Sequence, residues 1–245
     1  VEKLKYSSSM GGNGAAIRTS SIGLIYHKEI DIDKLIEQSI KSSRMTHNYP
    51  LGFLSGLVTA LFTSYAIRGI FPNKWCDLLL KLNESKKIDN YMKKTKIYEK
   101  YKNDKNEFWN VWYDYKEKRM ISDRESRSKF IYSRERLEDL QNYTLSLKKS
   151  NDYSNFGGSG IGALIIAYDA LLTSSNFINN NLEISLDSII FFGVLHFGDN
   201  DSSGAILGSW YGALQGYKNF DKNKMKQLEF YDKLNKLFNN IFKIK

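Results

Sequence analysis

The chain has 245 residues, of which 42% are apolar and 14% aromatic, enough for a sizeable core in one large domain and incompatible with an intrinsically disordered chain. The single cysteine, Cys76, excludes an internal disulfide, and with only His27, His47 and His196 beside it there is no Cys/His zinc pattern, so a reducing, cytoplasmic setting is the simplest expectation. The formal net charge of +9 would suit nucleic acid, but the basic residues alternate with Asp and Glu, as over 98–118, in the manner of a solvated helix face, and nucleic acid is not the expected partner.

In chain order, a loop, Met10-Gly11-Gly12-Asn13-Gly14, leads into small and apolar residues that predict a buried helix over 15–24. Asp31 or Asp33 can cap the next helix, 34–43, where Leu35, Ile36 and Ile40 form an apolar stripe. Pro50 opens a long helix reaching about 68. Its stretch 51–67 carries no charge, but it is rich in Gly, Ser and Thr and slightly short for a membrane span. A helix buried on all sides is therefore predicted, with Gly52, Ser55, Gly56, Thr59 and Ala60 letting neighbours come close. Pro72 and Asn73 break the chain before a short helix over 75–81.

Residues 83–150 differ in character: they are charged, aromatic and free of glycine, and read as two or three surface helices docked through Trp109, Trp112 and Tyr113. A second glycine loop, Gly157-Gly158-Ser159-Gly160, precedes a helix over 163–172. A turn over 176–181 and an apolar helix over 185–195, capped by Ser185 or Asp187, follow. The segment Phe197-Gly198-Asp199-Asn200-Asp201-Ser202-Ser203 then opens a glycine-rich helix to about 216. Its Gly204, Gly208, Gly212 and Gly216 form a bare stripe suited to close packing of another helix. An amphipathic helix over 223–242 ends the sequence. Almost nothing alternates with period two, and the fold class expected is all-α.

The chemistry-bearing residues concentrate in three places. Asp199 and Asp201, just before a helix, can cap its free N–H groups; with Ser202 they can equally offer an all-oxygen donor set to a hard cation such as Mg²⁺ or Ca²⁺. Gly12, Asn13 and Gly14 sit ahead of a helix, where backbone can approach a phosphate, and glycine loops also serve plain tight turns. Gly158, Ser159 and Gly160 allow the same two readings. His47, after Thr46, is a structural hydrogen-bonding residue or a ligand contact, and His196 can orient the Asp199 loop from behind.

Taken in this order, the stretches from Gly11 to Arg18, Arg44-Met45-Thr46-His47, Gly52-Phe53-Leu54, the Gly157 loop with Ala167-Tyr168-Asp169-Ala170, and His196 to Gly208 resemble the ADP-ribosylglycohydrolase family, closest to its ADP-ribosylarginine hydrolase branch. The similarity runs over nearly all of 1–245 as a single domain, with a charged helical insert at about 83–150. The resemblance implies a compact, orthogonal multi-helix all-α domain with a pair of Mg²⁺ ions below an ADP-ribose cleft. The implied activity is hydrolysis of the bond between ADP-ribose and a protein side chain, arginine in this branch. It implies Asp199, Asp201 and Ser202 as metal ligands. Gly12, Asn13, Gly14 and His47 would contact ligand, and Phe156, Gly158, Ser159 and Gly160 would surround its adenosine half, with Phe156 placed to stack on the base. The implied partner is ADP-ribose or an ADP-ribosylated protein.

Two departures qualify those implications. The family's remaining metal carboxylates come from a Thr-Asp-Asp-Thr type motif in a portion that precedes the Gly-Asn-Gly loop, so the catalytic acids are expected N-terminal to this sequence, elsewhere in the gene product or on a separate polypeptide. Phe197 stands where the family usually has glycine and is expected to crowd the metal loop; Gly162 and Leu164 also depart from the branch. The competing expectation is an inactive relative serving as a binding or structural subunit.

Overall fold

The structure, a computed structural model, describes residues 4–118, 138, 140, 156–178, 181–217 and 220–243. Its helices are α1 (Ser20–Ile25), α2 (Ile32–Arg44), α3 (Pro50–Ile67), α4 (Trp75–Glu84), α5 (Lys87–Met92), α6 (Tyr98–Lys118), α7 (Gly160–Thr173), α8 (Leu186–Gly193), α9 (Asn200–Gln215), α10 (Lys222–Lys226) and α11 (Tyr231–Lys243). One hairpin, β1 (Ser175–Ile178) against β2 (Asn181–Ile184), is antiparallel with Ser175 opposite Ile184. The chain is thus all-α with a minor hairpin. It divides into two compact units, Val1–Leu214 and Gln215–Lys245.

In the first unit α3 is the axis. Tyr49 is extended, Pro50 presets the first helical φ, and every residue from Pro50 to Ala66 is buried. By length and composition α3 could cross a membrane, yet α1, α2, α6 and α7 pack around it, so it is a core helix. Small residues set the approach distances, as expected. Gly56 leaves no room for a Cβ beside the Ser43 hydroxyl of α2, and Gly23 of α1 lies against the Ala60 carbonyl. Hydroxyls inside α3 bond the preceding turn, as Thr63 does to the Thr59 carbonyl at 2.8 Å, so the polar atoms that allow close packing are satisfied.

One end of α3 sits in an aromatic cluster. The Phe62 ring lies 5.1 Å from Trp75, 5.2 Å from Tyr168, 5.3 Å from Trp210 and 5.7 Å from Trp112. Four of the five elements involved, α3, α4, α6 and α9, are thereby tied to α7. The charged helix α6 docks through Tyr101, Phe108, Trp109, Trp112 and Tyr115, all buried, whereas Tyr113 is turned outward and Lys116 pairs with Asp77 at 2.5 Å. The docking face therefore includes Trp109 and Trp112 as expected but not Tyr113. Most of 119–155 lies outside the described residues, including the later part of the expected insert.

Several local expectations change. The helix predicted over 15–24 is a 3-10 segment, Asn13–Arg18, followed by α1, with Thr19 at the joint donating its hydroxyl to Gly56 at 2.7 Å. The partner lies across in α3, a contact the local pattern cannot foresee. The predicted 176–181 turn is largely hairpin strand. Asp31 makes no capping bond, and Asp33 faces Lys87 at 3.1 Å instead; Ser185 does cap α8, accepting from Ser188 N–H. The glycine stripe of α9 is not a packing seam among the described residues: a Cβ at Gly208 or Gly212 would meet open space, and only Gly204 faces a neighbour, Val194. In the second unit the helix expected over 223–242 is two helices. Asp221 caps α10 through the Asn223 and Lys224 N–H groups, and Phe230, at φ 62°, interrupts the chain before α11.

Candidate functional site

The two glycine loops meet. Gly160 N–H donates to the Gly11 carbonyl at 2.9 Å, and Gly12 pairs with Ser159 in a single antiparallel bridge. Gly160 can start α7 here because it lacks a Cβ: one would sit 2.6 Å from the Leu51 carbonyl of α3. Ser159 caps α7, its hydroxyl accepting from Gly162 N–H at 3.0 Å. The second loop is thus clamped between α3 and the first loop.

Asn13 joins this pair to the third element. Its side-chain amide donates to the Gly157 carbonyl at 2.9 Å and to Asp199 Oδ2 at 2.7 Å, across 186 residues of sequence. Asp199 N–H donates to the Phe156 carbonyl at 2.7 Å. Gly157, at φ 86°, turns the chain between those two contacts in a conformation L side chains avoid.

Asp199 precedes the first residue of α9, and both readings of it have support. Burial alone would raise its carboxyl pKa, but hydrogen bonds with Asp201, Asn13 and the Ser202 hydroxyl and backbone outweigh that and hold it below the ordinary range. The bond to the Ser202 backbone is a helix cap. Asp201 is exposed and also accepts from Ser202 N–H at 3.0 Å, while Ser202 is buried. The donors Asp199, Asp201 and Ser202 are all oxygen, the kind a hard cation takes. Their number is small: no group of three or more His, Cys, Asp or Glu side chains gathers among the described residues.

His47 borders the first loop. Its ring packs on Gly14, where a Cβ would lie 2.8 Å from Cε1, and its backbone side on Gly52 of α3. Nδ1 is 2.7 Å from the Thr46 hydroxyl. Burial, then the positive charge of Arg18, lowers the imidazole pKa, so the ring is neutral near pH 7. Arg18 donates to the carbonyls of Gly14 at 2.9 Å and Ser42 at 2.8 Å, stapling the first loop to the end of α2. Nothing in the sequence singled out Arg18 for this role; only its place four residues after Gly14 hinted at it.

His196 lies behind the Asp199 turn. Gly198 N–H donates to Nδ1 at 3.2 Å, which leaves Nε2 as the donor to Ser203 Oγ at 2.7 Å, and the Ser203 hydroxyl in turn donates a hydrogen bond to the Gly193 carbonyl at 2.8 Å. Burial lowers its pKa against the opposing charge of Asp199, in keeping with a neutral ring that orients the turn.

Phe156 and Phe197 fall differently from expectation. Phe156 is 3% exposed, its ring 5.0 Å from His196 edge-on and 5.6 Å from Phe197 in a near-parallel stack. It presents no open face to a base. Phe197 is 63% exposed, and the ring contact it makes is the stack on Phe156.

A sequence model of the ADP-ribosylglycohydrolase family matches residues 2–245. The chain is 37% identical over 241 residues to a Dictyostelium discoideum protein named ADP-ribosylhydrolase ARH1, an alignment covering 93% of this chain and 59% of that protein. It is 31% identical over 246 residues to a protein of Acanthamoeba polyphaga mimivirus named as an ADP-ribosyl glycohydrolase, covering 98% of this chain and 45% of that protein. The chain spans less than two thirds of the length of either relative.

Proposed function

Because the chain belongs to the ADP-ribosylglycohydrolase family, we propose that its paired glycine loops and the Asp199 turn form one wall of an ADP-ribose cleft in a protein that hydrolyses the bond between ADP-ribose and a protein side chain. The observation that carries this is Asn13: one amide binds both the second loop and Asp199, uniting three segments that have no reason to meet for the helical core alone. Arginine as the modified side chain rests on the resemblance of the ordered motifs to the ADP-ribosylarginine hydrolase branch.

In this reading the backbone of Gly12, Asn13, Gly14, Gly158, Ser159 and Gly160 admits the diphosphate closely, since no side chain stands in its way. Neutral His47 beside Gly14 offers a hydrogen bond without the desolvation cost of a buried charge. Asp199, Asp201 and Ser202 are the residues that would hold Mg²⁺; a bound Mg²⁺ supplies polarisation of ribose oxygens and of water. Asn13 fixes one Asp199 oxygen and the Ser202 backbone fixes the turn, so the carboxylates are oriented before any ligand arrives. Three oxygen donors are short of the six that Mg²⁺ takes, so the remaining ones belong to water, ligand and carboxylates of a further segment or of a separate polypeptide.

A second reading, ADP-ribose binding without turnover by this chain, is favoured by the small number of metal-binding side chains among the described residues. Calorimetric titration of ADP-ribose into the full-length protein, with and without Mg²⁺, tests the first. Mg²⁺-coupled binding that disappears in Asp201→Ala, together with release of ADP-ribose from an ADP-ribosylarginine substrate, is the expected result. Binding that ignores both Mg²⁺ and Asp201→Ala would overturn it.

A further inference from the structure

We propose that Asp104 of α6 is a positioning residue for the ligand site: it grips the Tyr6 hydroxyl and so holds in place the segment that leads into the first glycine loop. This rests on the hydrolase reading above, and it gives the charged helix α6 a part in ADP-ribose binding.

Two tyrosines meet two carboxylates on α6. The Tyr6 hydroxyl donates to Asp104 Oδ2 at 2.8 Å, across 98 residues of sequence, and the Tyr49 hydroxyl donates to Glu107 Oε2 at 2.5 Å. Asp104 and Glu107 are one helical turn apart, so they share a face of α6. The two tyrosine rings meet edge-on with centroids 5.6 Å apart, and the Lys100 ammonium lies 5.6 Å from the centre of the Tyr6 ring. Burial, then the carboxylate each one faces, pushes both phenols above their ordinary pKa, so each hydroxyl stays a donor. Tyr49 is itself fixed, because it enters α3 directly ahead of Pro50. Just before Tyr6, the Leu4 carbonyl accepts from the side-chain amide of buried Asn48 at 2.9 Å, and Asn48 accepts from Arg44 Nε at 2.9 Å.

The path from this grip to the ligand loop is short. Ser8–Met10 is a 3-10 turn, closed by Met10 N–H on the Ser7 carbonyl at 3.0 Å. The Met10 carbonyl rests on α3, where Gly52 leaves no room for a Cβ. The next carbonyl, that of Gly11, accepts from Gly160 N–H, and Gly12 and Asn13 follow with their contacts to Ser159 and Asp199. The segment is thus pinned to α6 at one end and to the second loop and the Asp199 turn at the other. Freeing the Tyr6 end gives the first loop back some of its conformational freedom, and a ligand must then pay to order it.

The test uses the full-length protein, with ADP-ribose affinity measured by calorimetry and stability by chemical denaturation. Tyr6→Phe and Asp104→Ala should each weaken ADP-ribose binding by about three- to tenfold, and the double variant should fall no further than the deeper single one. Asp104→Asn, which keeps an accepting oxygen, should lose less than Asp104→Ala. Tyr101→Phe is the control. It removes another phenol–carboxylate bond of α6, from Tyr101 to Asp89 at 3.0 Å, away from the segment before Gly11, and should leave affinity within about twofold. Unaltered affinity in Tyr6→Phe and Asp104→Ala overturns the proposal, as do additive losses in the double variant or a loss in Asp104→Asn as deep as in Asp104→Ala. Losses that follow stability across all the variants, Tyr101→Phe included, overturn it in favour of a purely structural bond. In each of these cases ADP-ribose binding by the wild type leaves the hydrolase reading standing. A wild-type protein that binds no ADP-ribose removes both together.

Discussion

The helix α3 and the cluster of loops at Asn13, Gly157 and Asp199 are held by opposite means. Around α3 the contacts are dispersive and numerous: apolar and small side chains from four helices, with the hydroxyls of Ser55, Thr59 and Thr63 bonded to the preceding turn of the same helix. The loop cluster is held by a handful of directional bonds between segments far apart in sequence, with Asn13 making two of them. The first arrangement spreads its stability over many atoms and stands up to solvent. The second concentrates it in single atoms at a partly open surface, and so leaves carboxylate and backbone groups available to a ligand. A large enclosed helix makes the loops meet; few bonds keep them usable.

Four substitutions sharpen that contrast or break it. The largest effect is expected at Phe62→Ala, which empties the centre of the aromatic cluster and should cost about 3–5 kcal/mol in chemical denaturation. If it costs less than about 1 kcal/mol, the cluster is not the keystone described. Asn13→Ala leaves the Gly157 carbonyl and Asp199 without their shared donor and should cost about 1–2 kcal/mol by the same measurement. It should also weaken ADP-ribose binding measured calorimetrically; a stability loss with unaltered binding would detach the loop cluster from the ligand site. Asp201→Ala, at an exposed carboxylate, should change stability by less than about 1 kcal/mol while reducing Mg²⁺-dependent ADP-ribose binding more than about tenfold. A thermal shift as large as that of Asn13→Ala would instead make Asp201 a plain helix cap.

The smallest effect concerns pH. Burial and Arg18 depress the His47 pKa in the folded protein. The unfolded chain therefore takes up a proton while the folded ring stays neutral, and stability falls as pH drops below about 6.5, the ordinary imidazole value, until the folded ring protonates too. His47→Gln should flatten part of this acid slope in urea titrations at a series of pH values, with His196, depressed by burial as well, supplying the remainder. An unchanged slope would mean that His47 is solvated.

Much of the scaffold was legible in the sequence. The uncharged run after Pro50, the stripe Leu35, Ile36, Ile40 and the Ser185 cap all act over one or two turns, and the structure keeps them. Where neighbours in space decide, legibility ended. The α9 glycines looked like a packing seam because spacing says nothing about whether a helix lies opposite. Tyr113 shares helical spacing with Trp109, and only the position of α6 on the core turns it outward. Phe156 was the natural base-stacking residue until Phe197, adjacent to the carboxylates in sequence, proved to cover it.

The sequence by itself determined the helices, the family and the three segments that carry chemistry, because periodicity, caps and motif order are local properties of a chain. Only the tertiary structure decided that Asn13 bonds Asp199, that Arg18 and Gly14 shape the surroundings of His47, and that Phe197 rather than Phe156 offers its ring to solvent. Each of these depends on directional contacts between segments brought together by the burial of α3, and no one-dimensional pattern records which side chain ends up beside which.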